Sequence, residues 1–246
     1  AFNRPESKNA INREMFEILL SVFSDAQQNS NLRAIFLSGN GDSFSAGGDV
    51  KDMAKDGPSI SLQEKTNSLK RIMNVSKLLH EGVIPTVAVI NGVAAGAGFA
   101  LALACDMRIA SENAKFTTAF SKIGFSGDFG GSYFLTKIIG TAMAKELFYF
   151  SEMIDASSSK KLGIINHMVK PSEINDFSES LKEKFRNLPP IAIRYMKKNL
   201  NNALLGNLNI SLDDEALHMM ICSETEDHKS AVKAFINKSK PTFKGK

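Results

Sequence analysis

The chain has 246 residues, with 30 Lys and Arg against 26 Asp and Glu, a formal net charge of +4, and 43% hydrophobic and 23% charged residues. That is material for one substantial core with a smaller appended piece. No apolar run approaches the ~20 residues of a membrane-spanning helix, and the dispersed lysines read as a solvated surface rather than a polyanion-binding stripe. The two cysteines, Cys105 and Cys222, form no CxxC pair, and the four histidines, His80, His167, His218 and His228, are widely separated. Both cysteines are expected as small core hydrophobes in a reducing compartment, with no metal site and a cytoplasmic location. The chain begins at Ala1 rather than at a methionine, so a leader stays open, and its last three residues are not a peroxisomal signal.

In chain order, Asn12 is placed to cap a helix whose apolar residues Met15, Phe16, Leu19, Leu20 and Phe23 recur at helical spacing. Ala34 to Leu37 reads as a buried strand, followed by a Gly- and Asn-rich loop and then FSAGGDV. A second helical stretch carries Leu69, Ile72, Met73 and Leu79, and Pro85 precedes the strand Thr86 to Ile90. Met107 to Ala110 and Lys115 to Thr118 read as short strands. The alternation of helix and strand predicts an α/β layered fold with parallel pairing. Beyond about Pro171 the pattern is helical: Leu181 to Phe185, Ile191 to Leu205, and Leu212 to Ile236.

Between Asn91 and Asp106 the sequence NGVAAGAGFALALACD joins a turn of small residues to an apolar helix with no ionisable side chain before its end. Such a segment offers backbone N–H groups and the positive end of a helix dipole to an oxyanion, and supplies no acid or base. The strand-to-turn units AIFLSGN…SAGGD and TVAVINGVAAGAG are alike in shape. Alone they are a weak signal, since glycines also serve tight turns, and neither matches a dinucleotide- or nucleotide-phosphate loop.

Five segments in order, FNRPESKNAIN, FSAGGDVKDM, IPTVAVINGVAAGAGFALALACDMRIAS, KFTTAFSKIGFSGDFGGSYFL and FINKSKPTFKG, resemble the crotonase family of enoyl-CoA hydratases and isomerases from Phe2 to Gly245. The resemblance implies a spiral core of repeated ββα turns over residues 1–185. It also implies a C-terminal helical portion over residues 186–246 that supports homotrimers or dimers of trimers. It implies an acyl-CoA substrate whose coenzyme A is part of the substrate, with no separate cofactor, and an enolate held by two backbone N–H groups. These fall on Gly48 and Ala97. Main-chain donors suit the role because they are rigid and do not titrate, and each is worth roughly 3–4 kcal/mol in such sites. For CoA the resemblance points to the Lys8 to Ala10 segment and to Ser45, Ala46, Gly47, Gly48 and Asp49, with Lys8 as a phosphate partner. Gly96 and Phe120 are also expected among the substrate-binding residues, and Phe235 and Lys238 are expected to close the CoA pocket, across subunits.

Hydratases of the family carry two glutamates, at positions that here are Ala100 and Phe120. Neither side chain can activate water or protonate carbon. The remaining acid, Asp128, lies eight residues beyond Phe120 in the turn Gly124 to Gly131. It resembles the acidic residue of the Δ3,Δ2-enoyl-CoA and ring-epoxide-CoA isomerases, although an Asp there would also cap the following helix. The reading is an isomerase moving a double bond by a single-carboxylate 1,3 proton shift. Phe120, Phe125 and Phe129 are expected to raise the Asp128 pKa by desolvation. Asp49 and Asp106 are read as structural. A dehalogenase is disfavoured because the chain has no Trp and carries Lys77 in the helical stretch where that enzyme places a His. A hydratase-like enzyme, a thioester hydrolase, and a non-catalytic CoA- or RNA-binding protein are the alternatives, with neither nucleic acid nor membrane expected as a partner.

Overall fold

A computed structural model describes residues 1–53 and 61–246. A single 3-10 turn at Pro5–Ser7 precedes α1 (Arg13–Gln27), whose first turn is capped by the Asn12 side chain accepting from the Met15 N–H. There follow β1 (Ile35–Ser38), β2 (Ser43–Ser45), the short α2 (Val50–Met53) and α3 (Leu62–Glu81), which opens on a reciprocal Ser61–Glu64 capping box. The pattern of two strands and a helix repeats as β3 (Thr86–Ile90), β4 (Val93–Ala95) and α4 (Gly96–Ala104). It repeats again as β5 (Met107–Ser111), β6 (Lys115–Thr117), α5 (Gly131–Ile139) and α6 (Thr141–Phe150). After β7 (Ile154–Asp155), α7 (Ala156–Lys161) and β8 (His167–Val169) the chain is helical: α8 (Ile174–Arg186), α9 (Pro190–Ala203), α10 (Leu208–Ser223) and α11 (Glu226–Ile236).

From β1 to β6 successive strands alternate between two sheets, one ordered β1-β3-β5-β8 and the other β2-β4-β6-β7. Each ββα unit therefore adds one strand to each sheet and winds the chain one step along a spiral. Pairing is parallel except between β6 and β7. Every residue of β3 (TVAVI) is buried, which is why this strand is a continuous apolar run with no alternation. Packed between layers, α4 is buried along its whole length and can be apolar on every face.

The helical end is fastened to the spiral by a buried lysine, against the expectation that the lysines are surface groups. Lys197 of α9 donates to the carbonyls of Leu79 (2.8 Å) and Ile84 (3.0 Å) and pairs with Asp106 at 2.9 Å. Asp106 also accepts from the Thr86 N–H at 2.8 Å, the structural role read for it. The single helix read over Leu212 to Ile236 is two, broken where the Thr225 hydroxyl caps α11 by accepting from the His228 N–H. Among the described residues no helix is long and apolar enough to cross a membrane.

Candidate active site

The two glycine turns meet. A Cβ placed on Gly47 (φ +95°) would lie 2.8 Å from the Ala95 carbonyl oxygen and 3.4 Å from the Ala97 nitrogen, so only a residue without one fits this close approach. Gly48 bridges to Ile11 in parallel fashion, with Ile11 N–H donating to the Gly47 carbonyl (2.7 Å) and Asp49 N–H to the Ile11 carbonyl (3.0 Å). In that pattern Gly48 directs its own N–H away from Ile11. Across from it, Gly96 and Ala97 open α4, where first-turn N–H groups have no acceptor within the helix and the dipole is positive. The predicted pair of donors, Gly48 and Ala97, is thus brought together on adjacent turns.

The predicted CoA segment lies beside them. Lys8 and Asn9 both adopt left-handed backbone (φ 52° and 55°), and the conformation is held by the Asn9 carboxamide. It donates to the carbonyls of Asn40 (2.8 Å) and Ser43 (2.7 Å) and accepts from the Arg4 N–H (2.9 Å). The Lys8 carbonyl accepts from the Ala46 N–H at 2.8 Å, which leaves both residues exposed side by side. Ser45 is a brace: its hydroxyl donates to the Asn9 carbonyl (2.8 Å) and accepts from the Gly47 N–H (3.1 Å). The Arg4 guanidinium clasps the Ala10 carbonyl (2.8 Å) and the Asp49 carboxylate (2.8 Å). The hydrogen bond from Arg4 holds the Asp49 carboxyl below its usual range, aided by the N–H groups of Asp52 and Lys51. Asp49 therefore fixes the turn and remains an anion.

Asp128 sits in a segment wrapped over Phe120. Gly127 (φ +109°), Phe129 (φ +48°) and Gly130 (φ +76°) place three left-handed residues around it. The capping alternative is not used: α5 has no side-chain cap, and the Gly131 N–H is taken by the backbone carbonyl of Asp128 at 3.0 Å. One carboxyl oxygen, Oδ1, is buried without a hydrogen-bond partner. Desolvation by burial pushes the Asp128 pKa up from 3.8 to about 6.

The apolar surrounding differs from the one expected. Phe120 and Phe129 are buried, but Phe125 is 53% exposed and contributes little. In its place Phe148 of α6 stacks on Phe120 at 6.0 Å, a partner that sequence separation concealed. The Phe120 ring spans the two halves of the site. It comes within 3.9 Å of a Cβ built on Gly96 and 3.7 Å of one built on Gly127. Ala100 is buried one turn into α4, and a Cβ on Gly131 would stand 3.3 Å from its methyl. Phe235 and Lys238 are not brought to these residues within one chain. Phe235 is 86% exposed at the end of α11, where Lys238 donates its N–H back to the Phe235 carbonyl. Among the described residues no cluster of His, Cys, Asp and Glu could hold a metal ion.

The enoyl-CoA hydratase/isomerase family description matches residues 1–246. A short-chain-enoyl-CoA hydratase from Clostridium acetobutylicum is 31% identical over 97% of this chain and 90% of its own. A 1,2-epoxyphenylacetyl-CoA isomerase from Escherichia coli is 32% identical over 99% of this chain and 93% of its own. The crystal structure of an enoyl-CoA hydratase from Bacillus anthracis superposes with a TM-score of 0.92 at 28% identity, covering 99% of this chain and 93% of the other. By full-length match and by architecture, the chain belongs to the enoyl-CoA hydratase/isomerase family and has the crotonase fold.

Proposed function

We propose that the protein is an enoyl-CoA isomerase that shifts a double bond from C3–C4 to C2–C3 of an acyl-CoA with Asp128 as its only acid–base group. The observation that carries this reading is the Asp128 carboxyl: half-buried, with one oxygen fully buried and unpartnered and a pKa pushed up to about 6. A carboxylate of raised pKa is a stronger base than an ordinary aspartate and still ionised at neutral pH. It removes a proton from C2, and the electron pair moves onto the thioester oxygen as the C3–C4 π electrons conjugate with the new enolate. The N–H groups of Gly48 and Ala97 take the oxyanion as hydrogen-bond acceptor. The same carboxyl, now protonated, returns the proton at C4, and the charge on oxygen collapses to restore the thioester. No atom is gained or lost.

Ala100 and Phe120 support isomerisation over hydration, because an adding water needs a base at one of those positions and a proton donor at the other. The stacked Phe120–Phe148 wall also gives a water molecule no hydrogen-bond partner there. The CoA portion is read as lying on the Lys8–Ala46 platform, with the Lys8 ammonium toward phosphate. Exposed Leu200, Leu205, Leu208, Phe235 and Ile236 on the C-terminal helices support burial between copies in a homotrimer or dimer of trimers, which would carry Phe235 and Lys238 to a neighbour's site.

The test is a panel of 3-enoyl-, 2-enoyl- and ring-epoxide-CoA substrates with wild type and Asp128→Asn. Isomerisation that Asp128→Asn abolishes, with kcat/KM rising through an acid limb near pH 6 as the base ionises, is the expected result. Crotonyl-CoA hydration that is indifferent to the substitution would overturn the reading in favour of a hydratase.

A further inference from the structure

The residue that follows Asp128 is held from outside its own loop. Phe129 is a non-glycine residue at φ +48° with its side chain 1% exposed, a strained backbone that persists only when neighbours over-determine it. Lying before the first turn of α5, its carbonyl has no acceptor role in that helix, and it accepts from the Ser76 hydroxyl of α3 at 2.7 Å in a buried hydrogen bond. The Phe129 ring stacks on Phe16 of α1, with centroids 4.5 Å apart and planes inclined by 13°. A hydroxyl on one helix and a ring on another thus fix both ends of the residue next to the carboxyl.

We infer that Ser76 is a positioning residue for Asp128: its hydroxyl locks the Phe129 carbonyl and so fixes the direction in which the preceding aspartate presents its carboxyl. This rests on Asp128 being the acid–base group. Without the hydroxyl, the buried Phe129 carbonyl loses its partner, and the strained peptide can rotate to find another. Rotation there swings the Asp128 side chain, and a misplacement of about 1 Å costs on the order of 10²-fold in rate. Substrate binding is left alone, because Ser76 touches neither the Lys8–Ala46 platform nor the donor turns. The wall of a cavity of about 820 Å³ between α3, α5 and α9 includes Ser76, so a methyl added to the residue has space.

The experiment compares Ser76→Ala, Ser76→Thr and Asp128→Asn on a 3-enoyl-CoA. Ser76→Ala is expected to lower kcat by about 10–100-fold with KM within twofold, and to move the acid limb of kcat from near 6 toward the ordinary aspartate range as the freed carboxyl reaches water. Ser76→Thr, which keeps the hydroxyl, is expected to restore most of kcat and the limb. Phe16→Leu, which loosens Phe129 from the other side, is a second perturbation with the same expected kcat-only loss. If Asp128→Asn abolishes turnover while Ser76→Ala and Phe16→Leu keep wild-type kcat and an unmoved limb, the positioning role is overturned and the acid–base assignment stands. If Asp128→Asn itself turns over normally, it is the isomerase reading that fails.

Discussion

Removing the Asp128 charge is expected to stabilise the protein while it destroys the activity. The carboxyl titrates at 3.8 in an ordinary setting and at about 6 here. At 1.36 kcal/mol per unit that displacement corresponds to roughly 3 kcal/mol. Partial solvation of the side chain reduces the usable part to about 1–3 kcal/mol. The sign follows from linkage. Because the folded pKa is the higher one, the folded state binds more protons than the unfolded state between pH 3.8 and about 6, so stability falls as pH rises through that window and stays lower above it. Asp128→Asn never carries the charge and escapes the penalty. Its amide is a near isostere, and its N–H can find acceptors that a carboxylate cannot use. Thermal melts of wild type and Asp128→Asn at fixed protein concentration, from pH 4 to pH 8, measure the difference. For a chain of this size each kcal/mol moves Tm by about 2–4 °C, so the variant should melt higher by several degrees at pH 7.5 and by almost nothing at pH 4. A variant that melts lower at pH 7.5, or a difference that does not depend on pH, would refute the view that burial sets this pKa.

Two further substitutions probe the surrounding turns. Gly47→Ala places a Cβ against the Ala95 carbonyl at a φ that L-residues rarely adopt, and should lower kcat about 100-fold by displacing the Gly48 N–H; steady-state kinetics with unchanged kcat would contradict the placement of that donor. Arg4→Ala strips Asp49 of its guanidinium and should cost about 1–2 kcal/mol in urea melts at neutral pH, together with a raised KM for acyl-CoA as the Lys8–Ala10 segment loosens. Since the Asp49 carboxyl is held low, that stability is present above the ordinary aspartate pKa and vanishes as pH falls through the lowered one, so the two proteins should converge in acid.

Local chemistry made much of this legible before any coordinates. The Asn12 cap, the buried run Thr86–Ile90 and the apolar helix after Gly96 each announce themselves within a few residues. Four strands did not: Ser43–Ser45, Val93–Ala95, Ile154–Asp155 and His167–Val169 are two or three residues long, too short to show an alternation against a partner. The donor pair and Asp128 were found through family motifs, since glycine turns by themselves fit many structures. What the sequence could not show were contacts between distant segments. Phe148 displaces Phe125 from the site because α6 returns to cover Phe120. Ser76 meets Phe129 across 53 positions. Lys197 resembles any surface lysine until α9 folds onto the end of α3. The split between α10 and α11 was missed because Thr225 lies in an unbroken helical pattern and acts through its hydroxyl alone.

The close approach of Gly131 to Ala100 sets an order on any attempt to give this scaffold a hydratase's glutamate. A carboxylate at position 100 would have to grow into the first turn of α5, in a layer where the present occupants are a methyl group and a glycine. A single exchange there places a charge in a space where even one more carbon would be a tight fit, at a cost of several kcal/mol. The first turn of α5 must withdraw before the acid can arrive, yet that turn directly continues the segment that carries Asp128. Installing the new acid and keeping the old one are thus competing demands on the same few residues, and a variant that acquires the first is expected to loosen its hold on the second.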